Sequence, residues 1–224
     1  MKSLLNAERD SLLLVDKPIG FSSFQIVRIL KKRYEKVGHA GTLDPFASGL
    51  LIILLNRATK QFDNIQQRDK DYIGAMILGI STDTYDITGA QTGNSKIATI
   101  DMTLDELNRA AQQFVGEIEQ TPPRYSALKR DGKKLYQLTR QNRSIDIASR
   151  KVLVKSFEIV DIDFPILTFR STVGRGVYLR SLAHDFGNAL GCGGTLVSLR
   201  RTRIGTYHVA QAEKIGAILT PESC

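Results

Sequence analysis

Six consecutive aliphatic residues, Leu50-Leu51-Ile52-Ile53-Leu54-Leu55, constrain this chain more than any other stretch. With no polar alternate to turn towards water, a run of that length reads as a buried strand. Residues 11–15 read as a further strand entering a turn at Asp16-Lys17-Pro18-Ile19-Gly20, and residues 72–78 as another. Ser22 and Ser23 can cap a helix over 24–34, with Ile26, Val27, Ile29 and Leu30 inward and Arg28, Lys31, Lys32 and Arg33 outward. Thr103 with Glu106 forms a capping box that opens an amphipathic helix ending near Gly116, and residues 133–142 look like a shorter helix. Strands over 152–162 and 166–173 pair around Asp163-Phe164-Pro165; a helix over 178–190 stops at Gly191; a last strand covers 206–209. Strands and helices mix without strict alternation, which favours an α+β fold over a doubly wound parallel sheet. No repeat and no Gly/Ser-rich linker interrupts the chain, so one continuous domain over 1–210 is expected, with a short tail over 211–224.

Composition narrows the partners. Among 224 residues, 42% are hydrophobic, ample for a core, while Lys plus Arg outnumber Asp plus Glu by 31 to 23. The net charge of +8 and pI near 9.5 suit a polyanion. Cys192 and Cys224 form neither a metal-type cluster nor a disulfide framework, which fits a reducing cytosol. Acidic residues flank the short apolar stretch at the N-terminus, and no later run approaches the length of a membrane span, so the chain is expected to be soluble, unexported and cytoplasmic.

The segment from Val37 to Leu51 is the most informative stretch for function. Gly38 and Gly41 precede Asp44 and let the backbone turn sharply and a ligand approach closely, while Pro45 restricts Asp44 to an extended conformation, on a turn rather than in a helix. Most Asp-Pro pairs are Asx-turns or helix caps. Here the wider sequence adds to the spacing. The loop Gly38-His39-Ala40-Gly41-Thr42-Leu43-Asp44-Pro45-Phe46-Ala47-Ser48-Gly49 resembles the pattern around the catalytic Asp of TruB-type pseudouridine synthases. Val15-Asp16-Lys17-Pro18-Ile19-Gly20 with Ser22 and Ser23 resembles that family's first motif. Asp69-Lys70-Asp71-Tyr72 with Leu78-Gly79 and Thr82-Asp83-Thr84 resembles its Tyr-bearing strand and the connection after it. Pro122-Pro123-Arg124-Tyr125-Ser126-Ala127-Leu128-Lys129 with Gly132-Lys133-Lys134-Leu135-Tyr136 resembles its substrate-side segment. Gly176-Val177-Tyr178-Leu179-Arg180-Ser181-Leu182 and Leu199-Arg200-Arg201-Thr202 resemble its last two motifs.

The resemblance implies the pseudouridine synthase fold, a mixed and largely antiparallel sheet with flanking helices. It implies isomerisation of uridine to pseudouridine at position 55 in the T-arm of tRNA. The C1′–N1 bond breaks, the base turns, and C1′ is rejoined to C5, so no cofactor or metal is expected. The reaction needs an ionised carboxylate as nucleophile or base, in a pocket that excludes water. By resemblance this is Asp44, with Arg180 as the Arg that pairs with it, Tyr72 as the Tyr against the target base, and His39, Tyr178 and Leu199 at substrate-contact positions. Lys17-Pro18 is expected to brace the loop. The base must be turned out of its stack, at a cost of a few kcal/mol, and the cations of the first helix, with Lys129, Arg130, Lys133 and Lys134, can offset it through phosphate contacts.

The chain departs from the family in two places. Phe24-Gln25 stand where many members have His-Asp, and the chain ends soon after Thr202, so the family's small C-terminal RNA-binding domain is expected to be absent or vestigial. A monomer acting on tRNA without an obligate protein partner is expected. The rivals are a guide-RNA-dependent pseudouridine synthase, which relies on that domain and on partners, and a non-catalytic RNA-binding relative, which should have lost Asp44, Tyr72 or Arg180. A glycosidase-like hydrolase would need a second cooperating carboxylate, and none stands in a comparable motif.

Overall fold

The computed structural model describes residues 11–94, 102–126, 129–130, 133–134 and 147–216. The chain divides into two compact units, Met1–Ile73 with Leu199–Cys224, and Gly74–Ser198. The first unit holds β1 (Leu12–Lys17), α1 (Ser23–Leu30), β2 (Val37–His39), β3 (Ser48–Leu55), α2 (Phe62–Gln67) and the start of β4 (Lys70–Leu78). The second holds the rest of β4, then β5 (Ile80–Thr82), β6 (Gln91–Asn94), α3 (Leu104–Ala111) and β7 (Gly116–Gln120). It continues through β8 (Lys129–Arg130), β9 (Lys133–Lys134), β10 (Arg150–Asp163), β11 (Ile166–Val173) and α4 (Leu179–Ala189). Strand β12 (Gly194–Ile204) leads back into the first unit, which also holds β13 (Tyr207–His208) and β14 (Glu213–Lys214).

In the first unit the hydrogen-bonded strand order is β14-β1-β3-β12-β4, with β2 beside β3 and β13 beside β12. In the second it is β4-β11-β10-β7. The β1/β3, β2/β3, β10/β11, β7/β10 and β12/β13 pairs are antiparallel, whereas β1/β14 and β3/β12 are parallel. The fold is therefore α+β with a mixed, largely antiparallel sheet, as expected.

The aliphatic run is the centre of the first unit. Leu51, Ile53 and Leu55 pack with Leu13 and Val15 of β1 and with Ile26, Val27 and Leu30 of α1. Leu50, Ile52 and Leu54 face the other way, towards Ala40, Ile65 and Ile204. All six are at most 1% exposed. Each such side chain stabilises the unit by about 1.5–3 kcal/mol, and burial on both faces explains why no residue in the run is polar.

Helix α1 is capped by Ser22 rather than Ser23: the Gln25 N–H donates to the Ser22 hydroxyl oxygen, and the Ser22 N–H donates to Gln25 Oε1 at 2.7 Å. It ends at Leu30, short of residue 34, and residues 31–33 continue as turns, the Lys32 and Arg33 N–H groups donating three residues back to the Ile29 and Leu30 carbonyls. In the second unit Phe157 packs edge-to-face on Phe169 and Phe186, each at 5.4 Å, and Phe114 lies 5.9 Å from Phe186.

The expected strand pair over 152–162 and 166–173 is β10/β11, the expected Thr103 capping box opens α3, and the helix over 178–190 is α4, with Gly191 at φ +76° after it. The helix expected from residue 133 does not begin there. Lys133 and Lys134 instead pair across to Arg130 and Lys129 as a strand, and residues 135–142 lie outside the described residues. Strands β7 and β12 were not foreseen, and of residues 206–209 only Tyr207 and His208 are strand.

Candidate active site

Asp44 lies between β2 and β3 in the first unit, and four sets of bonds hold its loop. The Ala40 N–H donates to the Ile52 carbonyl at 2.9 Å, continuing the β2/β3 pairing past His39. Ser23 receives the Leu43 N–H at 2.8 Å and donates its hydroxyl to the Leu43 carbonyl at 3.0 Å, clipping the residue before Asp44 to the first turn of α1. The Gly20 N–H donates to the Pro45 carbonyl at 2.8 Å, and the Ala47 N–H to that of Asp44 at 3.1 Å.

The fourth set comes from Arg201 of β12, which is 1% exposed. Its Nε donates to the Leu50 carbonyl at 2.8 Å, Nη2 to Gly41 at 3.0 Å and Nη1 to Thr42 at 3.3 Å. Nη1 also lies 3.5 Å from the Tyr72 hydroxyl, so one guanidinium ties both ends of the Asp44 loop to the buried Tyr72. Gly49 makes the approach of β12 possible. Its φ is +104°, and a Cβ there would lie 2.3 Å from the Arg201 carbonyl oxygen.

A second buried cation faces Asp44. Lys17 is 0% exposed, and its Nζ donates to the carbonyls of Phe21 at 2.7 Å and Pro18 at 2.9 Å. Burial pushes its pKa down to about 8; the Asp44 charge resists that fall and the Arg201 charge adds to it. Asp44 itself is half-buried, and its charge interacts with that of Lys17. Leu199, two residues before Arg201, shares its face of β12 and is buried with it.

Tyr178 and Arg180 belong to the second unit. Tyr178 caps α4: its N–H donates to Gln120 Oε1 at 2.8 Å, its carbonyl accepts from Gln120 Nε2 at 3.1 Å, and the Arg150 guanidinium lies 5.2 Å from its ring centre. Arg180 is 4% exposed. Its Nη1 donates to the Thr84 carbonyl at 3.1 Å and lies 3.4 Å from Asp86 Oδ2, while Nη2 donates to the Tyr125 carbonyl at 3.1 Å. Asp86 is fixed in turn, its Oδ1 accepting from the Thr84 hydroxyl and the Thr88 N–H, both at 2.9 Å. A buried guanidinium with a carboxylate and two carbonyls set around it is a directed cation, not a helix-surface charge.

The sequence profile described as TruB family pseudouridylate synthase (N terminal domain) matches residues 28–179, and that of the tRNA pseudouridylate synthase B C-terminal domain matches residues 180–220. The chain belongs to the TruB family. It is 43% identical over 214 residues to the tRNA pseudouridine synthase B of Chloroherpeton thalassium, covering 92% of this chain and 88% of that protein. To the tRNA pseudouridine synthase B of Chlamydia felis it is 44% identical over 206 residues, covering 91% and 86%. Among solved structures, a Cbf5-Nop10-Gar1 complex contains a chain that is 30% identical with a TM-score of 0.71, covering 93% of this chain and 53% of that one. A chain of an H/ACA RNP bound to a substrate RNA containing 2′-deoxyuridine is 27% identical with a TM-score of 0.68, covering 93% and 52%. This chain thus spans about half the length of those solved chains.

Within the TruB frame, sequence reasoning quoted Arg201 only as part of a motif and gave Asp86 no role. Both have a sequence signal in retrospect. Arg201 alternates with Leu199 towards the interior, and Asp86 closes the run Thr82-Asp83-Thr84-Tyr85-Asp86, which is rich in turn-forming side chains. Lys17-Pro18 was expected to brace the Asp44 loop; the Lys17 ammonium donates to the Pro18 and Phe21 carbonyls of its own turn, and its charge interacts with that of Asp44.

Proposed function

We propose that this TruB-family chain isomerises a uridine of tRNA to pseudouridine, at position 55 in the T-arm, with Asp44 as the reacting carboxylate. The observation that carries this is the Asp44 loop itself, clamped at Gly41, Thr42 and Leu50 by a buried Arg201 and set in the field of Lys17. Such a frame keeps a carboxylate charged as water is excluded, and spends no reorganisation energy when the base arrives. The reaction leaves the atom count unchanged: C1′–N1 is replaced by C1′–C5, C5 gives up its proton and N1 gains one. Each way of starting it, attack on the sugar, attack on the base or removal of a proton, uses the same ionised oxygen.

His39, Tyr72, Tyr178, Arg180 and Leu199 hold the substrate nucleotide in this reading. The protein acts as a monomer in the cytosol, with tRNA as its partner and no cofactor; among the described residues no helix is long and apolar enough to cross a membrane. The likeness to chains of a Cbf5-Nop10-Gar1 complex and of an H/ACA RNP bound to a substrate RNA favours an enzyme that works in an assembly, and it is outweighed by relatives named tRNA pseudouridine synthase B at 41–44% identity. Pseudouridine mapping at single-nucleotide resolution on unmodified T-arm RNA and full tRNA, without guide RNA or cofactor, separates the readings. Wild type is expected to convert the T-loop uridine and Asp44→Ala to leave it untouched. An inert wild type on both RNAs would favour the partner-dependent reading.

A further inference from the structure

Helix α4 offers the turn over 82–88 more than Arg180. His184 lies one helical turn further along, on the same face as Arg180, and its ring is stacked on Tyr85 with 3.8 Å between centroids and 10° between planes. Another turn on, Asn188 Nδ2 stands 3.0 Å from His184 Nε2 and fixes the plane of the imidazole. The backbone of Tyr85 has a φ of +62°, in the left-handed region that a bulky residue enters rarely. Tyr85 stands between the two groups that grip Arg180 Nη1, the carbonyl of Thr84 and the carboxylate of Asp86. Its own carbonyl accepts from the Leu196 N–H at 3.1 Å. Burial holds the His184 imidazole below its ordinary pKa and raises that of the Tyr85 phenol, which keeps both rings neutral near pH 7.

We propose that Tyr85 and His184 are positioning residues for the reaction: their stack anchors the residue from which both halves of the Arg180 cradle project, and so aims the guanidinium without touching substrate. The inference rests on the reading that Arg180 belongs to the reacting site. One helix face then holds the turn twice, by charge at Arg180 and by ring contact at His184. Without the ring, residue 85 loses its anchor to helix α4, and the Thr84 carbonyl and the Asp86 carboxylate on either side of it are free to shift.

The test is single-turnover conversion of unmodified tRNA by Tyr85→Gly, Tyr85→Phe and Arg180→Met, with tRNA affinity and thermal unfolding measured on each. Glycine removes the stack yet suits the left-handed backbone, so Tyr85→Gly stays folded. Tyr85→Gly is expected to remain folded at assay temperature and to react roughly 10-fold or more slowly at unchanged affinity, because small displacements of positioning groups slow chemistry more than binding. Tyr85→Phe, which keeps the ring, is expected to restore the rate. A wild-type rate in Tyr85→Gly alongside an inactive Arg180→Met would overturn the clamp and leave the role of Arg180 standing. A wild-type rate in Arg180→Met would overturn the reading beneath it. Equal slowing in Tyr85→Phe and Tyr85→Gly, or lost tRNA affinity in either, would also overturn the clamp, since the phenol would then act directly.

Discussion

Arg201 fastens both sides of a loop with one side chain, donating to backbone carbonyls before and after Asp44. Replacing it with Leu keeps much of the volume but leaves the carbonyls of Gly41, Thr42 and Leu50 without their donor. Each buried acceptor so stranded costs about 1–3 kcal/mol, so Arg201→Leu is expected to lower unfolding stability by roughly 3–5 kcal/mol in a urea titration. Conversion of tRNA should fall further than stability does, because Asp44 loses its frame. The sequence made Asp44 legible and Arg201 not. Asp44 stood out through the likeness of its whole loop to a family pattern, since Asp-Pro spacing by itself reads as an Asx-turn, whereas Arg201 shows its role only through the carbonyls it reaches, more than 150 residues away along the chain. Asp86 was hidden in the same way, its partner Arg180 lying on a distant helix.

At the scale of elements, β3 and β12 mark the two extremes of legibility. Strand β3 was visible because six apolar residues in a row have one physical solution. Strand β12 was not, because Leu199-Arg200-Arg201-Thr202-Arg203 has neither a continuous apolar run nor an apolar alternation and stood out only as a family motif. Its cations are in fact matched one by one: Arg200 binds Asp16 through two bonds at 2.8 and 3.0 Å, and Arg203 binds Asp71 through another pair. Helix α4 carries an element-level cost of its own. Burial pushes the Asp185 pKa from 3.8 up to about 6. Between those values the native chain binds a proton that the unfolded chain releases, so this group's contribution to stability declines as pH rises from about 4 to 6 and stays low above. Asp185→Asn is expected to raise the urea midpoint at pH 7, to lose that advantage near pH 4, and to flatten the slope between.

For the whole molecule, charge is the property most readily tested. The face of α1 and the turn after it expose Arg28, Lys31, Lys32 and Arg33 in a chain of net charge +8. Binding of tRNA should weaken steeply between 50 and 200 mM salt, and a double change, Arg28→Gln with Lys32→Gln, should lower the logarithmic salt slope by about one for each phosphate contact removed. Turnover of bound tRNA should be spared. The division into two units, by contrast, has no signature in composition, since it falls within β4 at Ile73/Gly74 and within β12 at Ser198/Leu199, where no linker is needed. The same division orders events at the ribosome. Residues 74–198 are synthesised between the two parts of the first unit, so the Asp44 loop leaves the exit tunnel long before the guanidinium that will hold it. Until Arg201 follows, the nascent chain carries Asp44 on a loop held by its local bonds to Ser23, Gly20 and Ile52, and the guanidinium that closes it arrives with two short strands, β13 and β14, still to come.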